Sequence, residues 1–169
     1  LLKIQYKSTM ISVYDDFFTE EIRKEIFSKL TEPHWGISCR GNREIVWHYD
    51  GLEKQEYFNN YLYGLIFKKL NRNFKSIGRI YANGQTAGQC GTPHIDDGDL
   101  TFLYYPAPEW HITWQGHLIF LNKNKEGETI VIHKPNRGVL FNGNQLHYAD
   151  APTRFFNGFR ISLAYKLLN

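Results

Sequence analysis

Short β-rich segments fill the second half of this sequence and limit the folds that it can adopt. From residue 76 onward they are SIGRIYA, LTFLYY, HLIFLN, ETIVIH, GVLFNG and FRISLAYKL. Asn-Gly pairs, which are typical of tight turns between strands, occur at 83–84, 142–143 and 157–158. Many short strands separated by turn signals predict a β-sandwich or a barrel.

The first 75 residues have a different pattern. MISVYDDFF begins as a short strand, and FTEEIRKEIFSKLTE then predicts a helix that Thr19 can cap. Residues 54–71 predict a second helix, because apolar side chains recur along one side. We therefore expect one α+β, mainly β domain over residues 1–169. Supporting helices would occupy about 1–75, and the β core would occupy about 76–169.

Charge and cysteine content narrow the classes of function. The net charge of +3 is modest, and the sequence lacks the dense basic clusters of a dedicated nucleic-acid-binding protein. No apolar run approaches the roughly 18 residues that a membrane-spanning helix needs, so no membrane partner is expected. The two cysteines, Cys39 and Cys90, do not form a disulfide framework. A reduced, cytoplasmic protein is the expectation, and the sequence gives no indication of the oligomeric state.

The stretch GQCGTPHIDDGDL, residues 88–100, contains candidate metal ligands. Side chains alternate in an extended segment, so His94 and Asp96 would share one face. His147, which follows the apolar segment GVLF, is the candidate third ligand. Two histidines and one carboxylate with open coordination positions are the pattern of non-haem Fe(II) oxygenases. Asp97 and Asp99 are rival ligands, and a polar surface turn is the alternative interpretation of the whole stretch.

The last predicted strand contains a charged side chain among apolar ones. Arg160 and Ser162 lie two residues apart and share a face of GFRISLAYKL. An arginine buried in such a strand is costly without an anionic partner. A bound carboxylate would remove that cost, because a guanidinium can hold it through two hydrogen bonds. Arg154 is a rival for this role in a less strand-like segment.

Taken together, the order His-x-Asp, distal His and Arg-x-Ser resembles the Fe(II)/2-oxoglutarate-dependent dioxygenases. Within that family, the sequence is most similar to the prolyl 4-hydroxylase-like branch. The likeness runs from about residue 76 to 168 and includes RIYANGQTAGQ, TFLYYPAPEW, QGHLIFLN and IHKPNRGVLF. It implies a double-stranded β-helix, or jelly roll, as the core, with the N-terminal helices as its support.

The resemblance also implies a reaction. The iron ligands would be His94, Asp96 and His147, with no catalytic side chain beyond the metal centre. 2-Oxoglutarate and O2 would be cosubstrates, with ascorbate as a further candidate cofactor. The implied reaction is hydroxylation of a substrate C–H bond, most similar to that of a prolyl residue in a peptide or protein. It would convert 2-oxoglutarate into succinate and carbon dioxide.

A cosubstrate pocket is implied by the same resemblance. Arg160 with Ser162 resembles the pair that binds the distal carboxylate of 2-oxoglutarate. Tyr105 stands at the place of a tyrosine that hydrogen-bonds this carboxylate, and Tyr81 resembles another pocket tyrosine. Ordinary aromatic packing is the alternative for both tyrosines. Three side chains between predicted strands are candidates for the substrate mouth, with a plain aromatic core or rim as the alternative: Trp110, Trp114 and His117.

Two departures from the family pattern bear on these expectations. His147 and Arg160 are 13 residues apart, which is longer than usual, and a hairpin at Asn157-Gly158 would account for it. Prolyl hydroxylases carry a tryptophan on the last strand, where this chain has Tyr165-Lys166. The same chemistry on another amino acid, a small molecule or a nucleobase therefore stays open. So does a non-catalytic jelly-roll binding module.

Overall fold

Two antiparallel sheets form the core of the computed structural model, which describes residues 3–6, 10–40, 44–122 and 127–169. The strands are β1 (Lys3–Tyr6), β2 (Ile11–Tyr14), β3 (Gly36–Arg40), β4 (Glu44–Tyr49), β5 (Ser76–Gln85), β6 (Leu100–Tyr105), β7 (Leu118–Leu121), β8 (Glu128–Val131), β9 (Arg137–Asn142), β10 (His147–Ala149) and β11 (Arg160–Leu168). Within the described residues, the larger sheet has the order β1-β2-β9-β6-β11-β5-β4-β3, and the smaller sheet has the order β10-β7-β8.

Both predicted helices are present. Helix α1 spans Glu20–Leu30, and the hydroxyl of its N-cap Thr19 accepts a hydrogen bond from the backbone N–H of Ile22. The second helix begins as a π-helix over Tyr57–Leu62 and continues as α2 over Tyr63–Leu70. Among the described helices, none is long and apolar enough to cross a membrane.

The larger sheet is covered on both faces, as the alternation of side chains along β11 shows. One set packs with apolar side chains of the helices: Ile161, Leu163, Tyr165 and Leu167. The other set faces the space between the two sheets: Arg160, Ser162, Ala164 and Lys166. The expected jelly-roll core with bracing helices is therefore confirmed, and three of the four inward side chains on this strand are polar.

The N-terminal part contributes more strands than the sequence indicated. Besides the expected strand β2, the structure adds β1 and the β3–β4 hairpin to the larger sheet. Strand β4 pairs with β5, and β1 pairs with β2. These segments have weak alternation of their own, and the open edges of neighbouring strands supply their hydrogen-bond partners.

For two of the three Asn-Gly pairs, the prediction of a tight turn between strands is wrong. Asn83-Gly84 lies inside β5, where Gly84 is opposite Ile161 of β11. A Cβ atom on Gly84 would lie 2.0 Å from the ring of Phe159, so the glycine makes room for that ring rather than forming a turn. Asn157-Gly158 is not a hairpin either, because β10 and β11 belong to different sheets. The long spacing before Arg160 is a crossing between the sheets.

The third Asn-Gly pair does mark a turn. Asn142 is the last residue of β9 and Gly143 begins the turn, after which the chain continues to β10. A Cβ atom on Gly143 would lie 1.8 Å from the carbonyl oxygen of Gly98, so only glycine fits this close approach of two loops. The approach fixes the loop that carries Asp96, since the backbone N–H of Asp96 donates to the Gly143 carbonyl at 2.7 Å.

Candidate metal centre

His94, Asp96 and His147 meet at one end of the smaller sheet. The backbones of His94 and His147 exchange two hydrogen bonds of 2.9 Å, which extend the sheet beyond β10 by one pair. One potential ligand atom from each of the three side chains lies within 4.8 Å of the others. The carboxylate oxygens of Asp96 are each 3.5 Å from an imidazole Nε2, one from His94 and the other from His147.

Hydrogen bonds to the backbone orient both imidazoles. Nδ1 of His94 lies 2.8 Å from the carbonyl oxygen of Thr92, and Nδ1 of His147 lies 2.7 Å from that of Gln145. A carbonyl accepts, so each Nδ1 carries a proton, and in the neutral imidazole each Nε2 has the lone pair that binds a metal ion. Metal-ligating histidines are commonly fixed in this way by a partner of the other ring nitrogen. The three side chains therefore fit a divalent metal ion.

The charges of the centre suit a metal as well. Burial favours the neutral form of Asp96, but hydrogen bonding with His94 and the charge of Lys166 outweigh it and hold its pKa below the usual value. Burial lowers the pKa of His147 to about 4, although the Asp96 carboxylate opposes that shift. At neutral pH the site thus offers an ionised Asp96 carboxylate and a neutral His147 imidazole, which are the forms that bind metal ions.

Lys166 is a neighbour of the centre that the sequence analysis did not assign to it. Its ammonium contacts Oδ2 of Asp96 and donates to the hydroxyl of Thr101 at 3.2 Å. The Thr101 hydroxyl in turn donates to the same Asp96 oxygen at 2.6 Å. The alternation of side chains along the last strand indicates the position of Lys166, because it places Lys166 on the same face as Arg160 and Ser162.

One cavity between the sheets contains both the metal ligands and the inward side chains of β11. Its volume is about 70 Å³. His94, Asp96, His147, Arg160 and Ser162 all line it. The structure therefore brings together the predicted ligands and the predicted carboxylate-binding pair around a single space.

Arg160 is a buried cation that lines this cavity. It is 1% exposed. Its Nε donates to the carbonyl of Gly116 at 2.8 Å, and one terminal nitrogen donates to Oε1 of Gln85 at 2.6 Å. Burial lowers its pKa, and the nearby Tyr105 and Asp150 oppose the shift. The Gly116 carbonyl and the Gln85 amide are both neutral acceptors, so a carboxylate would be a better partner for the guanidinium than either of them.

The two predicted pocket tyrosines have different positions. Tyr81 lines the cavity, with the guanidinium carbon of Arg79 4.4 Å from its ring centre. Tyr105 is fully buried and packs under Arg160, whose guanidinium carbon is 5.3 Å from its ring centre. Two lining residues without an assigned role in the sequence analysis are His48 of β4 and Cys90. The β4–β5 pairing, which periodicity did not predict, brings His48 to the wall.

The side chains predicted for the substrate mouth do not line the metal cavity itself. Trp110 and Trp114 pack on each other and on Phe156, and Trp110 also stacks on the buried His133. Nδ1 of His117 accepts a hydrogen bond from the backbone N–H of His133. None of these residues is among the described residues that line the cavity. Trp110 and Trp114 are half-buried and pack on Phe156, which also fits an aromatic core or rim, so a role of these side chains in substrate binding stays a prediction.

Comparison with solved structures gives the class of fold. A prolyl hydroxylase from Trichoplax adhaerens, in complex with a hypoxia inducible factor peptide fragment, has a TM-score of 0.70 and 15% identity over 95% of this chain and 84% of that chain. A Pseudomonas putida prolyl-4-hydroxylase has a TM-score of 0.68 and 14% identity, covering 95% and 93%. HygX from Streptomyces hygroscopicus, with nickel and 2-oxoglutarate bound, has a TM-score of 0.70 and 11% identity, covering 94% and 83%.

The chain thus has the jelly-roll fold of the 2-oxoglutarate/Fe(II) oxygenases and carries a His-Asp-His triad within it. No protein-family model matches the sequence, and no curated protein is similar to it at the sequence level. At these low identities the similarity establishes the fold, and the chemistry of the site has to be argued from its own residues.

Proposed function

We propose that this protein is an Fe(II)- and 2-oxoglutarate-dependent oxygenase that hydroxylates a substrate C–H bond. One observation carries the proposal: a facial His94-Asp96-His147 triad and the buried Arg160 line the same cavity. Two histidines and a carboxylate leave open positions on iron, and a buried cation in the same cavity suits a dicarboxylic cosubstrate.

Different residues would bind the metal and the cosubstrate. His94, Asp96 and His147 would hold Fe(II), which supplies the oxidation chemistry when bound with 2-oxoglutarate and O2. Arg160 would bind the distal carboxylate, with Ser162 on the same wall as a second donor. The cavity is lined in part by apolar side chains such as Leu103 and Leu118, which would limit the access of water to the centre.

A prolyl residue of a peptide or protein is the first candidate substrate. Its support is the fold shared with two prolyl hydroxylases, one of them in complex with a peptide fragment. The last strand carries Tyr165-Lys166 at about the place where prolyl hydroxylases have a tryptophan, so another amino acid, a small molecule or a nucleobase is an alternative substrate. Ascorbate as a further cofactor and the cytoplasm as the location stay predictions.

The decisive experiment measures succinate formation from 2-oxoglutarate by the Fe(II)-loaded protein. We expect succinate to form and a panel of proline-containing peptides to stimulate it. Removal of Fe(II) with a chelator should abolish it. Metal binding without any succinate formation would favour the non-catalytic binding module, and the absence of stimulation by any peptide would count against the prolyl substrate.

Single substitutions connect this activity to the site. Loss of a residue that hydrogen-bonds a metal ligand typically weakens metal binding about 10- to 100-fold. His94→Ala removes the ligand itself, so it should weaken Fe(II) binding by more than this. His34→Ala is a matched control, since the His34 side chain is 57% exposed and pairs with Glu32 on the surface. Equal metal affinity of the two variants would contradict the ligand assignment.

A further inference from the structure

A second space adjoins the metal cavity on the Lys166 side. It is a groove of about 660 Å³, and Lys166 is the one described residue that lines both spaces. The charged residues of its wall are listed together: Asp50, Glu53, Lys54, Arg79, Asp97 and Lys166. The described lining contains no aromatic side chain. A substrate that reaches the metal through this groove therefore passes several charged groups.

Lys166 differs from the other cations of this groove. Its side chain is 5% exposed, whereas Lys54 is exposed to solvent. Arg79 donates to Oδ1 of Asp50 at 2.6 Å and already has an anionic partner. The ammonium of Lys166 has Asp96 as its ion-pair partner, and Asp96 is the carboxylate of the metal triad.

Loading the site would change the charge around Lys166. A divalent ion on Asp96 takes up the charge of the only carboxylate that forms an ion pair with this ammonium among the described residues. Of the two carboxylates of 2-oxoglutarate, one would be held by Arg160 and the other would bind with the metal. Lys166 would then be a buried cation that shares its ion-pair partner with the metal, and the groove carboxylates of Asp50, Glu53 and Asp97 have no described ion pair with it. A further anion would stabilise such a cation.

We propose that Lys166 binds a carboxylate group of the substrate at the junction of groove and cavity. The inference rests on the proposed function and narrows its substrate to molecules or residues with a carboxylate near the C–H bond that reacts. Thr101 fixes the ammonium from one side through its 3.2 Å hydrogen bond, so the remaining donors of Lys166 can turn to the ligand. Lys166 is in this view a specificity-determining residue.

The test compares matched carboxylates and amides as ligands of the loaded protein. Co(II) replaces Fe(II) so that binding with saturating 2-oxoglutarate is measured without turnover, from the visible absorption of Co(II). The pairs are propanoate with propanamide, cyclopentanecarboxylate with its amide, and N-acetyl-L-proline with its amide. We expect the carboxylate to bind about tenfold or more tightly in at least one pair, as for a hydrogen bond between charged groups.

Three variants assign that preference. It should be lost in Lys166→Met and kept in Lys166→Arg, which retains the charge. Lys54→Met is the matched control, an exposed groove lysine, and it should keep the preference. Thermal unfolding and 2-oxoglutarate affinity are measured for each variant, and Lys166→Gln replaces Lys166→Met if the latter does not fold.

The outcomes separate the two proposals. If the protein does not bind Co(II) and 2-oxoglutarate together, the proposed function fails and this inference fails with it. If the loaded complex forms and carboxylates bind no better than amides in every pair, only the inference is overturned. A preference that survives in Lys166→Met also overturns it, because the carboxylate would then bind the metal directly.

Discussion

Replacing Arg160 by methionine should weaken 2-oxoglutarate binding without weakening metal binding. Methionine retains much of the length of the side chain but removes its charge and its donors. The guanidinium is 1% exposed, so its interaction with a bound carboxylate would be shielded from water. Removing one partner of such a buried charged pair costs about 2–5 kcal/mol, which corresponds to a loss of affinity of roughly 30-fold to several-thousandfold.

The substitution also acts on the protein without cosubstrate. Arg160→Met leaves the Gly116 carbonyl and Oε1 of Gln85 without the donors that lie at 2.8 and 2.6 Å. Each unsatisfied acceptor costs about 1–3 kcal/mol, while removal of a buried charge offsets part of this loss. Thermal unfolding of the variant is therefore measured beside its binding, so that a loss of fold is not taken for a loss of affinity.

The assay is a titration of 2-oxoglutarate into the Fe(II)-loaded protein without O2, followed by absorption of the metal–cosubstrate complex. Arg160→Lys is the matched control. It retains a charge but not the planar pair of donors, so we expect a smaller loss, of about tenfold. Fe(II) affinity should be the same in all three proteins. An Arg160→Met variant that is folded and binds 2-oxoglutarate as tightly as the unmodified protein would refute the assignment of the cosubstrate pocket.

Two further predictions concern stability. Asp15 accepts from Arg137 at 2.7 and 3.1 Å and from Lys134 at 3.0 Å, and the hydrogen bond with Arg137 is the main cause that lowers its pKa. Asp15→Asn should therefore destabilise the fold by about 1–2 kcal/mol at pH 7. Because the pKa of Asp15 is lowered in the folded protein, the difference in free energy of unfolding between the two proteins is fully present above the unfolded pKa, near 4, and is lost as the pH falls further. Urea unfolding at pH 7 and pH 3 measures this difference. An equal difference at both pH values would contradict the prediction. Gly84→Ala should cost about 1–3 kcal/mol through the contact with Phe159, and a double variant with Phe159→Ala should be less destabilised than the sum of the single ones.

Much of the fold could be predicted from the sequence because its signals are local. Strands β6 and β11 show apolar and β-branched runs of the right length, and Thr19 with two following glutamates marks the start of α1. The shared face of Arg160 and Ser162 also follows from the two-residue period of a strand. Such features depend on a few neighbouring residues, so the chain determines them before any long-range contact forms.

Pairing between distant segments was not determined in this way. The Asn-Gly pair at Gly84 is a good turn signal, yet β5 continues through it because β11 pairs alongside and Phe159 needs the space above the glycine. Trp110 and Trp114 were candidates for a substrate mouth because they lie between two predicted strands. Their packing against Phe156, which is 42 or more residues further along the chain, could not be predicted from that position.

The sequence by itself determined which functional side chains the site contains and how they are spaced. They are a His-x-Asp pair on one extended segment, a distal histidine and an arginine on the last strand. Only the tertiary structure decided which of these side chains meet. The backbone pairing of His94 with His147 closes the triad, and the register of β11 on β6 places Lys166 opposite Thr101, beside Asp96. The physical reason is that side-chain direction within a strand is set by local geometry, whereas strand register and sheet order depend on packing across the whole domain.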